Sequence, residues 1–123
     1  QVGCVLTNKK KVLSVGYNGF PKNISDDLNR LIDREKKYEI TVHAEVNAVT
    51  TAALHGVSTE GANAYITFSP CSRCAAVLIN AGINAVYVDG AAEVPDRWLE
   101  NFISASKILA EAGVEYHTID TNA

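Results

Sequence analysis

The period of apolar and polar positions changes several times along the chain, and the changes mark its elements. Residues 2–7 and 12–17 are short runs rich in β-branched and aliphatic side chains, separated by Asn8, Lys9, Lys10 and Lys11. That pattern predicts a hairpin with a solvated lysine turn. Residues 18–40 carry no clear period, and Gly19, Pro21 and a mixed-charge run interrupt them. A loop of this length in a small domain is often functional, and a short helix is expected inside it around 26–37. From 43 to 55, Ala44, Ala48, Thr51 and Ala52 recur at helical spacing, with Gly56 as terminator. A strand follows at 62–68. Ser69-Pro70 then opens a helix over 71–81, with Pro70 in the first turn where its missing N–H costs nothing. Residues 84–89 read as a strand, and 95–112 as an amphipathic helix with Trp98, Phe102, Ile103 and Leu109 on its core side. Gly113 closes that helix and 114–119 form the last strand.

The order is β-β-α-β-α-β-α-β. Strands joined through single helices are expected to be parallel, with right-handed crossovers. The hairpin adds an antiparallel edge, so the expected architecture is a three-layer α/β/α fold on a five-stranded mixed sheet, one domain over 1–123.

Charge and cysteine content narrow the chemistry. A net charge of −3 lacks the basic excess of a general polyanion binder, though a local pocket can still hold one phosphate. Polymeric nucleic acid is therefore not an expected partner. No apolar run approaches the ~18 residues of a membrane span, and no secretory pattern is visible, so a cytoplasmic setting is expected. Three cysteines are an odd number, which argues against a disulfide framework.

The informative constellation is His43-Ala44-Glu45 followed by Pro70-Cys71-Ser72-Arg73-Cys74. Cys71 and Cys74, three apart, share one helix face in a first turn, where free N–H groups and the helix dipole favour thiolates. His43 begins another helix and can add a neutral nitrogen ligand. Three protein ligands leave one tetrahedral position open, the catalytic rather than the structural pattern for zinc. One Zn²⁺ per chain is expected. Glu45 is then a proton carrier rather than a ligand, the third part of the H-x-E…P-C-x-x-C pattern of zinc deaminases. A redox C-x-x-C would leave the His-x-Glu unexplained. Cys4, mid-strand, is a core residue.

On these motifs the chain resembles the cytidine deaminase superfamily, and within it the deoxycytidylate (dCMP) deaminases. Val2-Gly3-Cys4-Val5-Leu6 resembles the family's first strand, and Gly16-Tyr17-Asn18-Gly19-Phe20-Pro21 its G-Y-N-G-x-P loop. Asp33-Arg34-Glu35 with Lys37-Tyr38, His43 to Ala48, and Thr67 to Cys71 resemble further family segments. The resemblance implies a cytidine-deaminase-like fold and hydrolytic deamination of dCMP to dUMP and ammonia. It implies that Asn18 bonds the sugar beside Gly19, and that backbone carbonyls from Thr67 to Ser69 meet the amino group of the base. Arg34 or Lys37 would hold the phosphate. It also implies a homo-oligomer, often a hexamer, regulated by dCTP and dTTP. The family's helix before the first strand has no counterpart in this sequence. The loop after Pro21 reads Lys22-Asn23-Ile24 in place of the frequent Arg-Gly, and it lacks the Cys and His of a second zinc site.

Two other functions compete. A tRNA adenosine deaminase shares His-Ala-Glu and the cysteine pair, but must neutralise RNA phosphates. The net charge and the Gly-Tyr-Asn-Gly loop count against it. A non-catalytic, zinc-stabilised nucleotide-sensing module has no use for Glu45.

Overall fold

The computed structural model describes residues 2–120. Strands β1 (Gly3–Asn8) and β2 (Lys11–Tyr17) form the predicted hairpin. Lys9 and Lys10 turn it with φ of 47° and 70°, the left-handed pair that matches strand twist in a two-residue turn. Two short helices follow, α1 (Leu28–Ile32) and α2 (Arg34–Ile40), and then α3 (Ala44–Leu54). Strand β3 (Asn63–Ile66), helix α4 (Ser72–Asn80), strand β4 (Ala85–Asp89), helix α5 (Asp96–Glu111) and strand β5 (Glu115–Ile119) complete the order.

The sheet order is β2-β1-β3-β4-β5. Only β1 runs against the others: it is antiparallel to β2 and β3, whereas β3–β4 and β4–β5 are parallel. Every pair of strands joined through a helix therefore runs the same way, as expected. The hairpin lies at one edge, with β2 outermost and β1 slotted inside.

One row of residues shows where the helices lie. Ser14 pairs in register with Leu6, Leu6 with Ala64, Ala64 with Val86, and Val86 with Tyr116. Ser14 Oγ donates to the Ala48 carbonyl of α3 at 2.7 Å. At the other end of the row, Tyr116 lines a hollow with Phe102, Ile103 and Ser106 of α5. α3 and α5 thus share a face of the sheet, and α4 packs between them. The main core lies here: Leu6, Ile66, Val86 and Val88 from the sheet meet Ala48, Leu78 and Leu109 from the helices. Truncating a buried leucine such as Leu78 to Ala is expected to cost about 2–5 kcal/mol. Within the three-layer α/β/α class, the described residues supply the mixed sheet and this helical layer. The opposite face carries Val15, Val5, Tyr65, Tyr87 and His117 in one line across all five strands.

Three local expectations are corrected. The single helix around 26–37 is two helices, broken at Asp33, whose extended backbone ends α1 while its carboxylate caps α2 by accepting from Lys36 N. Pro70 does not sit in the first turn of α4. Cys71 is the N-cap, and Pro70 lies buried just ahead of it. Of the four core residues expected on α5, Leu109 is fully buried, but Trp98 is 38% and Ile103 48% exposed. The packed stripe instead runs through Ala105 and Leu109.

Candidate metal centre and active-site cleft

Helices α3 and α4 bring the three predicted ligands together. His43 is the N-cap of α3 and Cys71 the N-cap of α4, with Cys74 three residues on. His43 Nδ1 lies 3.2 Å from Cys74 Sγ and 3.6 Å from Cys71 Sγ, and the three donor atoms lie within 4.8 Å of one another. Zn–S bonds of about 2.3 Å and Zn–N bonds of about 2.0 Å require donor separations of roughly 3.5–3.8 Å in a tetrahedron. The donor set and its spacing fit a zinc ion. Among the described residues this is the one cluster of its kind.

The site's electrostatics follow from that crowding. A hydrogen bond from the Cys74 thiol holds the Cys71 thiol well below its ordinary range, and His43 adds to the effect. The Cys71 sulfur in turn holds the His43 imidazole above its usual range. Both thiols are free of disulfides. Glu45, in the first turn of α3, is 4% exposed. Burial raises its carboxyl above the usual range, partly offset by its own backbone N–H and by the Cys74 thiol. A buried carboxyl thus sits against the ligand cluster without belonging to it. Cys4 lies in the core on the inner sheet face, and burial pushes its thiol up to about 12.

A cleft of about 1080 Å³ opens over the cluster, with His43, Glu45 and Cys71 in its lining. Asn18, Gly19, Ser69 and Lys37 also line it. Asn18 Oδ1 accepts from the Ala44 N–H at 2.7 Å. Asn47 Nδ2 reciprocates by donating to the Tyr17 carbonyl at 2.7 Å, and Gly19 and Val42 exchange two backbone hydrogen bonds. These bonds clamp the Gly-Tyr-Asn-Gly loop onto the start of α3. Ser69 Oγ pairs with Tyr116 Oη at 3.0 Å. Two of the other residues named from the sequence have side chains bonded within the protein. The Thr67 side chain accepts from Gly3 N at 2.9 Å, tying the end of β3 to the start of β1. Arg34 Nε donates to Tyr38 Oη at 3.1 Å, leaving Lys37 as the Lys or Arg side chain that lines the cleft.

The structure adds a wall that the sequence reading missed. Phe68, Trp98 and Phe102 line the cleft together with the Asn18 loop. Phe68 and Phe102 pack edge to face at 5.4 Å, and Trp98 stacks on Phe102 at 6.4 Å. Trp98 and Phe102 stand four apart on α5, so in the sequence they read as core. In the structure Trp98 is 38% exposed and lines the cleft instead.

Among the described residues, no helix is long and apolar enough to cross a membrane.

Comparison with known proteins agrees with this geometry. The family pattern described as the cytidine and deoxycytidylate deaminase zinc-binding region matches residues 1–89. An uncharacterized deaminase in the luxG 3′ region of Aliivibrio fischeri is 39% identical over 94% of this chain and 76% of its own length. A probable deoxycytidylate deaminase from Drosophila melanogaster is 33% identical over 94% of this chain. Human deoxycytidylate deaminase is 35% identical over 70% of it. The aligned part spans 60% of the fly protein and 51% of the human one. In fold, the chain is similar to the crystal structure of a dCMP deaminase from cyanophage S-TIM5 in complex with dCMP and dUMP. That likeness has a TM-score of 0.73 and 24% identity, and covers 97% of this chain and 81% of the other. A pattern that takes in both ligand-bearing segments, and a relative alike over nearly the whole chain, place this protein in the cytidine and deoxycytidylate deaminase family.

Proposed function

We propose that this chain hydrolytically deaminates a free pyrimidine nucleotide, dCMP, to dUMP and ammonia. The observation that carries the reading is the Glu45 carboxyl, buried against the ligand cluster and lining the cleft. A metal site with a purely structural role has no use for it. The choice of substrate rests on the relatives described as deoxycytidylate deaminases and on the cyanophage enzyme's complex with dCMP and dUMP.

His43 Nδ1 and the sulfurs of Cys71 and Cys74 would hold the zinc. When bound, zinc supplies a water whose pKa is lowered to about 7. Glu45 takes a proton from the attacking water and delivers it to N3 of the ring as the C4–O bond forms. It then carries the second proton from the new hydroxyl to the amino nitrogen. The C4–N bond breaks and ammonia leaves. Burial raises the Glu45 pKa above the ordinary carboxylate range, which makes it a better proton acceptor and suits one group serving every transfer. Asn18 spends its oxygen on Ala44 and keeps its Nδ2 donors for a sugar oxygen. The Gly19 backbone shapes the same wall. Backbone carbonyls between Thr67 and Ser69 would accept from the amino group. Lys37 is the stronger phosphate candidate, because Arg34 is engaged with Tyr38.

A cytoplasmic setting, homo-oligomeric assembly and regulation by dCTP and dTTP complete the proposal. Free cysteines suit a reducing compartment. Assembly and regulation rest on the family resemblance.

The test is a turnover screen of dCMP, CMP, deoxycytidine, dCTP and adenosine, following cytosine absorbance and ammonia release. Preferred turnover of dCMP is expected. Turnover of adenosine substrates alone, or of none, overturns the reading.

A further inference from the structure

The two helices that carry the metal ligands begin on those ligands, and this leaves each with a problem at its N-terminus. The first-turn N–H groups of a helix have no partner within it, and the N-cap side chain ordinarily accepts from one of them. His43 caps α3 and Cys71 caps α4, and their side chains are given to the ligand cluster rather than to the first N–H of each helix. Imidazole and thiol are turned toward each other. In both helices the first N–H is met by an asparagine from another element. Ala44 N donates to Asn18 Oδ1 at 2.7 Å, and Ser72 N donates to Asn101 Oδ1 at 2.8 Å. Asn18 follows β2, whereas Asn101 lies on α5.

We infer that Asn101 is a positioning residue of the metal centre. With Asn18 it meets, from outside, the first N–H of a helix whose N-cap residue turns its side chain toward the metal cluster. Each asparagine fixes the residue directly after a ligand, so each sets the direction in which that ligand's side chain leaves the backbone. An amide suits the position beside the cysteines. It offers the acceptor the N–H needs without adding a negative charge next to two thiolates. The bond also couples α5 to α4 at the site, so the helix that supplies Trp98 and Phe102 to the cleft also steadies Cys71. The inference rests on the cluster being a metal site and is independent of which nucleotide the enzyme takes.

The test compares zinc-loaded wild type, Asn101→Ala and Asn101→Asp by competition with a chromogenic chelator, far below the unfolding temperature of each. Removing a group that orients a metal ligand typically weakens binding about 10- to 100-fold, and a loss in that range is expected for Asn101→Ala. Asn101→Asp keeps an acceptor in the same place and is expected to recover part of that affinity. Affinity within about threefold of wild type in folded Asn101→Ala overturns the assignment, whatever its melting temperature. If that variant does not fold, Asn101→Ser draws the acceptor away from Ser72 and takes its place, with the same loss expected and the same result decisive. Wild type that binds no zinc sinks the metal reading itself. Wild type and variants that bind it equally sink only the role of Asn101.

Discussion

Glu45 holds a carboxyl where ionisation is costly, and the cost is informative. Burial raises its pKa, and a protein keeps such a group where its proton is used. Replacing Glu45 by Gln keeps shape and removes the proton carrier. Zinc content is expected to stay near one per chain while kcat falls by about 10²–10⁴-fold; near-native turnover would remove Glu45 from the mechanism. The cysteines divide in the same way. Thiolate character and access decide which thiol reacts. Cys4 is buried with its thiol pushed up to about 12, whereas Cys71 is partly exposed and lowered. In native protein treated with a chelator, iodoacetamide is expected to label Cys71 first and leave Cys4 untouched until denaturant is added. Peptide mass spectrometry reads the order, and early labelling of Cys4 contradicts its placement. For the phosphate, Lys37→Ala should raise KM for dCMP more than for deoxycytidine, because only dCMP carries the charge. Arg34→Ala should do so less. Equal losses on both substrates would move the phosphate elsewhere.

At the level of elements, the approach of α3 to β2 sets the site. Gly16 makes that approach possible: a Cβ there would overlap the Ala44 carbonyl oxygen and the Ala48 nitrogen. Gly16→Ala must push α3 outward, and the displaced turn is the one bearing His43 and Glu45. Overpacking of this kind typically costs about 1–3 kcal/mol. Denaturant melts are expected to show that loss, together with weaker zinc binding. A variant with unchanged stability would mean that the backbone contact relaxes freely. Helix α5 offers an optical reading of the cleft. Trp98 is the chain's single tryptophan and lines the cleft. Saturable change of its fluorescence is expected on titration with dUMP, the product of the proposed reaction. A flat titration with an active enzyme would place the nucleotide away from α5.

For the whole molecule, a zinc ion held by His43, Cys71 and Cys74 would join two helices that the chain reaches separately. Binding to the native state alone adds about 2.7 kcal/mol at a free zinc concentration 100-fold above Kd. Chelation is therefore expected to lower the melting temperature by roughly 10 °C, with reversal on adding zinc; an unchanged melt would show that the site does not brace the fold. The larger pattern divides by the range of the interactions involved. The element order, the hairpin, the helix starts at His43 and near Cys71, and the trio of ligands with Glu45 were all legible in the sequence. The elements depend on spacing within a few residues, which sets helix phase and turn chemistry, and the ligands on two short motifs that match a known pattern. Pro70 and the break at Asp33 were misjudged by one turn or less, because neighbouring caps compete over so short a distance. What the sequence did not determine depends on residues far apart in it. It could not say that α3 and α5 share one face, since that follows from the long-range pairing of β1 with β3. It could not show that the Asn18 oxygen goes to Ala44, that Asn101 reaches Ser72, that Lys37 faces the cleft, or that Trp98 is wall and not core. An amphipathic stripe records how apolar a helix face is, but not what that face meets; only the packing of α5 against α4 and the cleft decided that.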